Sequence, residues 1–457
     1  HIQKRKKGDY SSMKKMFRIF ALLFAFVLAG AALTGCRQRQ EGGSGGNEPI
    51  DMNDFPLYNE EYAAMDYTQE EYEQKMSQPY WLGNVIYNEL ALPIAYEDGQ
   101  AYANLLYKPL RVVSVMDQTL KTTYTEGVDY TIDAENGRLL IPEGSSIPLL
   151  NEKVITGTAE EMQAAAPEGF EYTGGMPDNH TLYTIWDLGV GPMVYTESSL
   201  FYGRYLSVTY AYDVRDLPEN VFAEYDVTVL TGLRAKLQAK EDISLVVLGD
   251  SISAGSSSTG DNLHVEPNTP CYANQLAAEI ERVYGVNVTL TNSAQGGTKS
   301  EWPLTGEGMG AMNNAKAAIP DLCVIAYGMN DASGTGADEV TPPAYRRNIE
   351  NLIAEIKTVS PDCNFILVNS FPCNPRYERF PGRFDEYLNM LNQIVEDSGN
   401  NGTIITVDMQ RVGKYFMERK QYCEISSSNI NHPNDFMHRV YAMNLMNVIS
   451  DYSGLAQ

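Results

Sequence analysis

The sequence predicts an α/β fold in which a doubly wound parallel sheet follows a β-sandwich-like domain. From Ile243 onward, short apolar runs alternate with longer stretches that repeat apolar residues at helical spacing. Before that point, short β-like runs are separated by turn residues and lack helical periodicity. The sequence therefore divides into a β-rich accessory domain, residues 79–238, and an α/β domain, residues 239–457.

Five apolar runs in the second domain are predicted to be buried parallel strands, because strands covered on both faces read as continuous apolar sequence. They are Ile243–Leu248, Val286–Leu290, Leu322–Tyr327, Phe365–Asn369 and Ile404–Val407. Helices are predicted between them. The clearest are a helix over Cys271–Tyr284 that ends at Gly285, one that begins after Thr341 with two prolines, and a last helix over Phe436–Ile449.

The first domain contains several short runs that are predicted to be strands. A turn at Asn136-Gly137 joins Asp129–Asp133 to Arg138–Pro142, which is the pattern of a β-hairpin. Other runs are Leu110–Val115, Tyr205–Tyr210 and Tyr225–Val229. The chain has 30 tyrosines. Their density in this domain fits either a sugar-binding face or ordinary packing.

The N-terminal segment has the pattern of an export signal. After Met13 come three basic residues, an apolar run from Ile19 to Leu33, and the ending Leu33-Thr34-Gly35-Cys36. This ending resembles the lipobox of bacterial lipoproteins, which implies a signal peptide within residues 1–35 and lipid attachment at Cys36. The protein would then be anchored to the outer face of the cell membrane, with residues 36–78 as a tether and an unassigned acidic segment. A plain apolar anchor with unmodified Cys36 is the alternative.

Charge and cysteine usage exclude some classes of function. The formal net charge is −25 and the isoelectric point about 4.6, which disfavours a duplex nucleic-acid partner, and we predict none. The cysteines show no metal-like spacing, and we predict neither a metal site nor a cofactor. A Cys363–Cys373 disulfide is allowed by the sequence but not indicated.

Four short motifs follow predicted strands of the second domain or precede its last helix. They are Gly249-Asp250-Ser251, Asn292–Gly297, Gly328-Met329-Asn330-Asp331 and Asn431-His432-Pro433. Active sites of parallel sheets form beyond the carboxyl ends of the strands, so these motifs are expected to meet there. They offer a nucleophile, oxyanion donors and a general base, which acyl transfer through a covalent intermediate requires.

This set of motifs resembles the SGNH hydrolase superfamily, the GDSL-like esterases and lipases, from about Ile243 to the C-terminus. The resemblance implies a three-layer α/β domain in which Ser251 is the nucleophile and His432 the base. It also implies an oxyanion hole formed by the backbone N–H groups of Ser251 and Gly297 and the side-chain amide of Asn330. Gly296 is an alternative to Gly297 as the glycine donor, and His264 is the reserve base.

The sequence departs from the family pattern at one position. The family places an acid three residues before the histidine, whereas this chain has Asn429 there. We therefore expect a Ser-His dyad in which a backbone carbonyl orients His432. If a side chain orients the ring instead, Asn429 is the candidate. A weakly active or inactive domain is the alternative.

Nearby residues are given supporting roles. Asp250 and Asp331 are predicted to accept backbone N–H groups within their loops, and Asp435 to cap the last helix. Trp302 is a candidate wall for a sugar ring, with core packing as the alternative.

The sequence thus predicts a cell-surface, cofactor-free serine esterase. A β-rich domain before an SGNH-like domain resembles extracellular carbohydrate esterases, which implies O-acetyl groups on polysaccharides as the substrate class. Two alternatives remain: a lipase or lysophospholipase of the same superfamily, and a non-catalytic glycan-binding lipoprotein.

Overall fold

The first half of the chain is β-rich. The computed structural model describes residues 75–175, 181–187, 191–334, 338–377 and 383–452. Its strands up to residue 212 are β1 (Val85–Ala91), β2 (Ile94–Ala95), β3 (Ala101–Asn104), β4 (Pro109–Asp117), β5 (Thr131–Asp133), β6 (Arg138–Leu140), β7 (Leu150–Asn151), β8 (Glu171–Tyr172), β9 (Leu182–Asp187), β10 (Pro192–Tyr195) and β11 (Leu206–Tyr212). Two short helices, α1 (Lys153–Thr156) and α2 (Ala159–Ala165), follow β7.

These strands form three small sheets. One has the order β1-β11-β4 and is antiparallel, and a second has the order β5-β6-β3-β2-β7. The third has the order β10-β9-β8, and the chain continues from its edge strand β10 to the candidate site. The hairpin predicted around Asn136-Gly137 is confirmed as antiparallel β5–β6. The strand predicted over Tyr225–Val229 is wrong: the Asp226 carboxylate accepts the Thr228 N–H at 2.8 Å and turns the chain.

The second half of the chain is built on a parallel five-stranded sheet, as predicted. Its strands are β12 (Ile243–Gly249), β13 (Val288–Asn292), β14 (Leu322–Ala326), β15 (Asn364–Asn369) and β16 (Ile404–Asp408), in the order β13-β12-β14-β15-β16. Every neighbouring pair is parallel. β13 lies on one side of β12, and the later strands β14, β15 and β16 lie on the other side. The order of the strands therefore switches at β12, and sites of such sheets form at the carboxyl ends of the strands beside this switch point.

Helices connect these strands and cover the sheet. They are α3 (Thr231–Gln238), α4 (Ser251–Ala254), α5 (Tyr272–Tyr284), α6 (Met309–Ala317), α7 (Met329–Ala332), α8 (Pro342–Lys357), α9 (Arg383–Asp397), α10 (Met409–Met417) and α11 (Asp435–Ile449). The apolar faces predicted for α5 and α8 are buried. None of the helices in the described ranges is long and apolar enough to cross a membrane.

One predicted helix cap is wrong. Asn434, not Asp435, caps α11, because the Asn434 side chain accepts the Met437 N–H at 3.0 Å. The Asp435 carboxylate is buried and accepts the Tyr202 hydroxyl at 3.1 Å and the Thr259 N–H at 2.9 Å. Asp435 therefore connects the β-rich half of the chain to the α/β half.

The two halves share one continuous hydrophobic cluster. Buried polar contacts reinforce it: Lys420 of the α/β half forms an ion pair with Glu89 of β1, and both side chains are at most 1% exposed. The Tyr205 hydroxyl donates to the Cys423 carbonyl. The β-rich half is thus packed directly against the loop that leads to His432.

Several predictions fall on residues outside the described ranges. They are the signal peptide in residues 1–35, the lipid-modified Cys36 and nearly all of the tether 36–78. They stay predictions. Cys363 and Cys373 lie within the described residues and are free thiols, so the disulfide between them is absent from this part of the chain.

Candidate active site

Ser251 lies at the first turn of α4, directly beyond the carboxyl end of β12. Asp250 caps this short helix: its carboxylate accepts the Ile252 N–H at 3.0 Å, as predicted. A side chain at Gly249 would meet Ser253 Oγ at 2.2 Å, so only glycine lets the strand turn this tightly into the helix. The local sequence therefore fixes the position of the Ser251 hydroxyl.

His432 lies in the loop before α11, and its ring reaches the serine. His432 Nε2 is 2.9 Å from Ser251 Oγ. The Ser428 hydroxyl accepts the backbone N–H groups of Ile430 and His432 at 3.3 and 3.1 Å, and Ser426 Oγ donates to the His432 carbonyl at 2.7 Å. These bonds hold the loop in one conformation, so the imidazole is positioned before substrate arrives.

The second ring nitrogen of His432 faces an acid that the sequence reasoning missed. His432 Nδ1 is 2.6 Å from Oε1 of Glu197, a residue 235 positions earlier that follows β10. Glu197 also accepts the Tyr195 hydroxyl at 2.8 Å and the Ser257 hydroxyl at 3.0 Å. A carboxylate held in this way fixes the ring orientation and the tautomer of a histidine base, and it stabilises the imidazolium.

The Ser-His dyad predicted from the sequence is therefore corrected to a Ser251–His432–Glu197 arrangement. The hydrogen bonds of Asn429 go to other groups than the imidazole. Its side-chain amide donates to the Val194 carbonyl at 3.0 Å, and its own backbone carbonyl accepts from Asn374 Nδ2 at 2.9 Å. Asn429 thus ties the His432 loop to β10, the strand that leads to Glu197.

The glycine and asparagine predicted for the oxyanion hole lie on two neighbouring turns. Asn330 Nδ2 donates to the Thr298 carbonyl at 3.0 Å, and an amide nitrogen carries a second N–H for a further acceptor. Gly297 has φ +76°, where glycine is favoured, and a side chain at Gly296 would come within 3.8 Å of Ser251 Cβ. The Asp331 carboxylate accepts the Ser300 N–H at 3.1 Å, as expected of a loop scaffold, and joins both turns. The donor roles of Gly297 and Asn330 remain predictions.

Charges around the imidazole favour its protonated form. Burial acts to lower the pKa of His432, but the charge of Glu197 and its hydrogen bond outweigh burial and raise this pKa. Burial likewise acts to raise the pKa of Glu197, but His432 and the hydroxyl donors outweigh it and lower this pKa. Glu197 is therefore a carboxylate at neutral pH. Burial also raises the pKa of Asp250 to about 7 and that of Asp331 to about 6.

The remaining sequence-predicted residues are placed elsewhere. The reserve base His264 is exposed, and its Nδ1 contacts the Gly260 carbonyl at 2.9 Å, so it is not part of the Ser251 site. Trp302 begins a 3-10 turn after the oxyanion loop and is half-buried. Its contact with a sugar stays a prediction. No group of three or more side chains that could hold a metal ion occurs in the described ranges.

Little in the sequence identifies Glu197 in advance. It is one of 59 acidic residues, and it directly follows a short β-like segment of the other predicted domain. The sole local signal is an acid at the end of a strand, followed by two serines. That pattern is too common to select one residue without the tertiary structure.

A serine, a histidine and a carboxylate are hydrogen-bonded in series beyond the carboxyl end of a parallel strand, which is the arrangement that serine hydrolases use on α/β folds. Residues 247–440 match the family described as GDSL-like Lipase/Acylhydrolase family. Over these residues, which are less than half of the chain, the sequence is similar to that family of lipases and acylhydrolases.

The comparison with solved structures matches carbohydrate esterases at low similarity. A two-domain esterase active on acetylated mannans, crystallised with mannopentaose, is 20% identical with a TM-score of 0.37, over 49% of this chain and 54% of that chain. An acetylxylan esterase from Geobacillus stearothermophilus is 18% identical with a TM-score of 0.37, over 46% of this chain and 94% of that one. The alignment thus spans about half the length of the two-domain esterase. Comparison with curated proteins gave no match.

Proposed function

We propose that this protein is a cell-surface serine esterase that removes O-acetyl groups from polysaccharides through an acyl-enzyme. The observation that carries the chemistry is the hydrogen-bonded series Ser251–His432–Glu197, with contacts of 2.9 and 2.6 Å. A serine is a weak nucleophile unless an adjacent base takes its proton, and the base acts well when a third group orients it.

The reaction follows from these positions. His432 Nε2 takes the Ser251 proton as Oγ attacks the ester carbonyl, while His432 Nδ1–H remains bonded to Glu197. The N–H groups of Ser251 and Gly297 and the Asn330 amide stabilise the oxyanion. His432 then gives its proton to the departing sugar hydroxyl. A water molecule, deprotonated by the same imidazole, releases acetate and restores Ser251.

Domain organisation and an N-terminal motif support the proposed substrate class and location. A β-rich region before a GDSL-like domain resembles the organisation of extracellular carbohydrate esterases, which favours acetylated polysaccharide. The Leu-Thr-Gly-Cys motif ending at Cys36 favours export and lipid anchoring. The strongly acidic composition makes a polyanionic partner such as nucleic acid unfavourable.

A serine-directed phosphonate tests the chemistry. We expect the probe to label the wild type and the control S146A, an exposed serine of the β-rich half, but not S251A. Labelling of S251A to the wild-type extent would overturn the assignment. Equal absence of label in all three would favour the alternative of a non-catalytic glycan-binding lipoprotein.

Two further measurements test the substrate class. Acetate release from a panel of acetylated polysaccharides is expected for the wild type and not for S251A. Aryl acetate, butyrate and octanoate esters should be hydrolysed in falling order of kcat/KM. A preference for octanoate, with no acetate released from any glycan, would replace the proposal with a lipase.

A further inference from the structure

A small cluster of apolar side chains lies beside the His432 loop, separate from the main core. Its buried members come from β10 and from the two segments that face it: Met193, Tyr195, Tyr377 and Ile430, with Trp186 of β9 packed against them. Ile430 is two residues before His432. The cluster is therefore attached to the loop that carries the base.

The same cluster contacts the orienting acid. The Tyr195 hydroxyl donates at 2.8 Å to Glu197 Oε1, the oxygen that faces His432 Nδ1. The Ile430 carbonyl accepts the Asn374 N–H at 2.7 Å, and the Asn374 carbonyl accepts the Tyr377 N–H at 2.8 Å. Backbone bonds thus fix the Tyr377 segment against the His432 loop.

Trp186 differs from the four buried members of the cluster, because it is half-buried whereas they are at most 8% exposed. Its indole stacks on the Tyr195 ring with centroids 4.5 Å apart and an interplanar angle of 15°, and the Tyr377 ring lies 6.1 Å away at 29°. Two rings therefore hold a partly exposed indole in a fixed orientation. A rigid, amphipathic ring of this kind provides contact area at low cost in conformational entropy.

The charges around this indole restrict what it can bind. Asp187 is the next residue along β9, and Glu197 accepts the Tyr195 hydroxyl. The guanidinium of Arg376 lies close to them, because it donates at 2.9 Å to the carbonyl of Pro192, the residue that pairs with Asp187. The charges beside the indole therefore partly cancel, which suits a neutral pyranose that lays its apolar C–H face on the indole, and the net charge of −25 on the whole chain disfavours anionic sugars.

We propose that Trp186 binds a neutral pyranose ring of the polysaccharide whose acetyl group reacts at Ser251. This subsite deepens the proposed function and rests on it for the reaction. The β-rich half then supplies both the acid that orients the base, Glu197, and the platform that holds the glycan. Trp186 contacts the sugar, and Tyr195 fixes Trp186 relative to the triad.

Binding is tested without turnover, in the S251A background. Calorimetry measures the Kd of neutral pentasaccharides of mannose, xylose and glucose, with an oligogalacturonate as the anionic comparison. We expect at least one neutral pentasaccharide to bind, W186A to weaken it about 10-fold, which is 1.4 kcal/mol, and W186F to restore most of the affinity. Y172A is the matched control, because Tyr172 is a 46% exposed aromatic of the adjacent strand β8, and it should leave Kd unchanged.

Hydrolysis rates of two substrates provide a second test of the Trp186 subsite. The ratio of kcat/KM for an acetylated oligosaccharide to that for an aryl acetate should fall about 10-fold in W186A. Circular dichroism and thermal unfolding verify that each variant is folded. A W302A variant tests the other candidate sugar wall in the same assays.

Each contrary result is distinguishable from failure of the proposed esterase. No neutral pentasaccharide binding, or an unchanged Kd in folded W186A, overturns the subsite even if aryl acetate is hydrolysed. An unchanged substrate ratio in W186A, or stronger binding of the oligogalacturonate, does the same. Binding lost in W186A while the wild type hydrolyses no ester supports the subsite and overturns the esterase.

Discussion

Glu197 Oε1 and His432 Nδ1 are 2.6 Å apart although the two residues are separated by 235 positions in the chain. Glu197 follows a strand of the β-rich half, and His432 lies in the last loop of the α/β half. The β-rich half therefore contributes a side chain to the serine–histidine pair and is part of the candidate active site.

Replacing Glu197 by glutamine should lower kcat about 10²- to 10⁴-fold with a smaller change in KM. The amide keeps the volume of the carboxylate but cannot stabilise the imidazolium, and it can select the wrong tautomer of His432. Initial rates with an aryl acetate measure this. The matched control is Glu171→Gln, an exposed acid of β8, which should retain the wild-type rate. A loss in E197Q no larger than in the control would contradict a role for Glu197.

The pH dependence of kcat/KM should also reveal the interaction between Glu197 and His432. The general base acts as neutral imidazole, so the rate falls as the pH drops through the pKa of His432. Because Glu197 raises this pKa, the acidic limb of kcat/KM should lie above the ordinary value of 6.5. In E197Q the burial that lowers the pKa of His432 remains, as does the raising effect of Asp250, while the larger raising effect of Glu197 is gone. The limb should therefore move to lower pH, and an unchanged limb would show that Glu197 is not coupled to the base.

Asn429→Ala should cost far less activity than His432→Ala. The Asn429 side chain bonds to the Val194 carbonyl and not to the imidazole, so its loss loosens the contact between β10 and the His432 loop. We expect a loss of about 10-fold in kcat, against at least about 10³-fold for H432A. Stopped assays at matched, saturating substrate compare the two. Equal losses would indicate that Asn429 acts directly on the base.

Asn330→Ala should lower kcat about 10²- to 10³-fold, because one oxyanion donor is lost. The asparagine is already held by its bond to the Thr298 carbonyl, so the substitution should also reduce the stability slightly. Rates with an aryl acetate, together with thermal unfolding, separate the two effects. An N330A variant that is folded and has wild-type kcat would remove Asn330 from the oxyanion hole.

Replacing one member of the buried Lys420–Glu89 ion pair should destabilise the folded protein. Lys420→Met removes the cation beside the buried Glu89 carboxylate, which keeps only the Leu106 N–H and the Tyr210 hydroxyl as donors. It should reduce the free energy of unfolding by about 3–5 kcal/mol. Chemical denaturation measures it. The double variant E89Q/K420M removes the uncompensated charge and should recover part of the loss. A double variant less stable than K420M would contradict this explanation.

The amino-acid sequence is sufficient to predict the parallel sheet, its five strands within one or two residues, and the segments that carry Ser251, Asn330 and His432. These features are local: continuous apolar runs specify buried strands, and glycine-rich turns follow them. The hairpin at Asn136-Gly137 was predictable for the same reason.

The group that orients His432 is identifiable only once the chain is folded. An acid three residues before the histidine would be visible as a motif, whereas an acid in another half of the chain is brought there by packing between sheets. The capping of α11 by Asn434 and the use of Asp435 as a buried bridge to Tyr202 depend on the same packing. Long-range contacts of this kind cannot be recognised in the sequence, because a single carboxylate forms no motif with a residue far away along the chain.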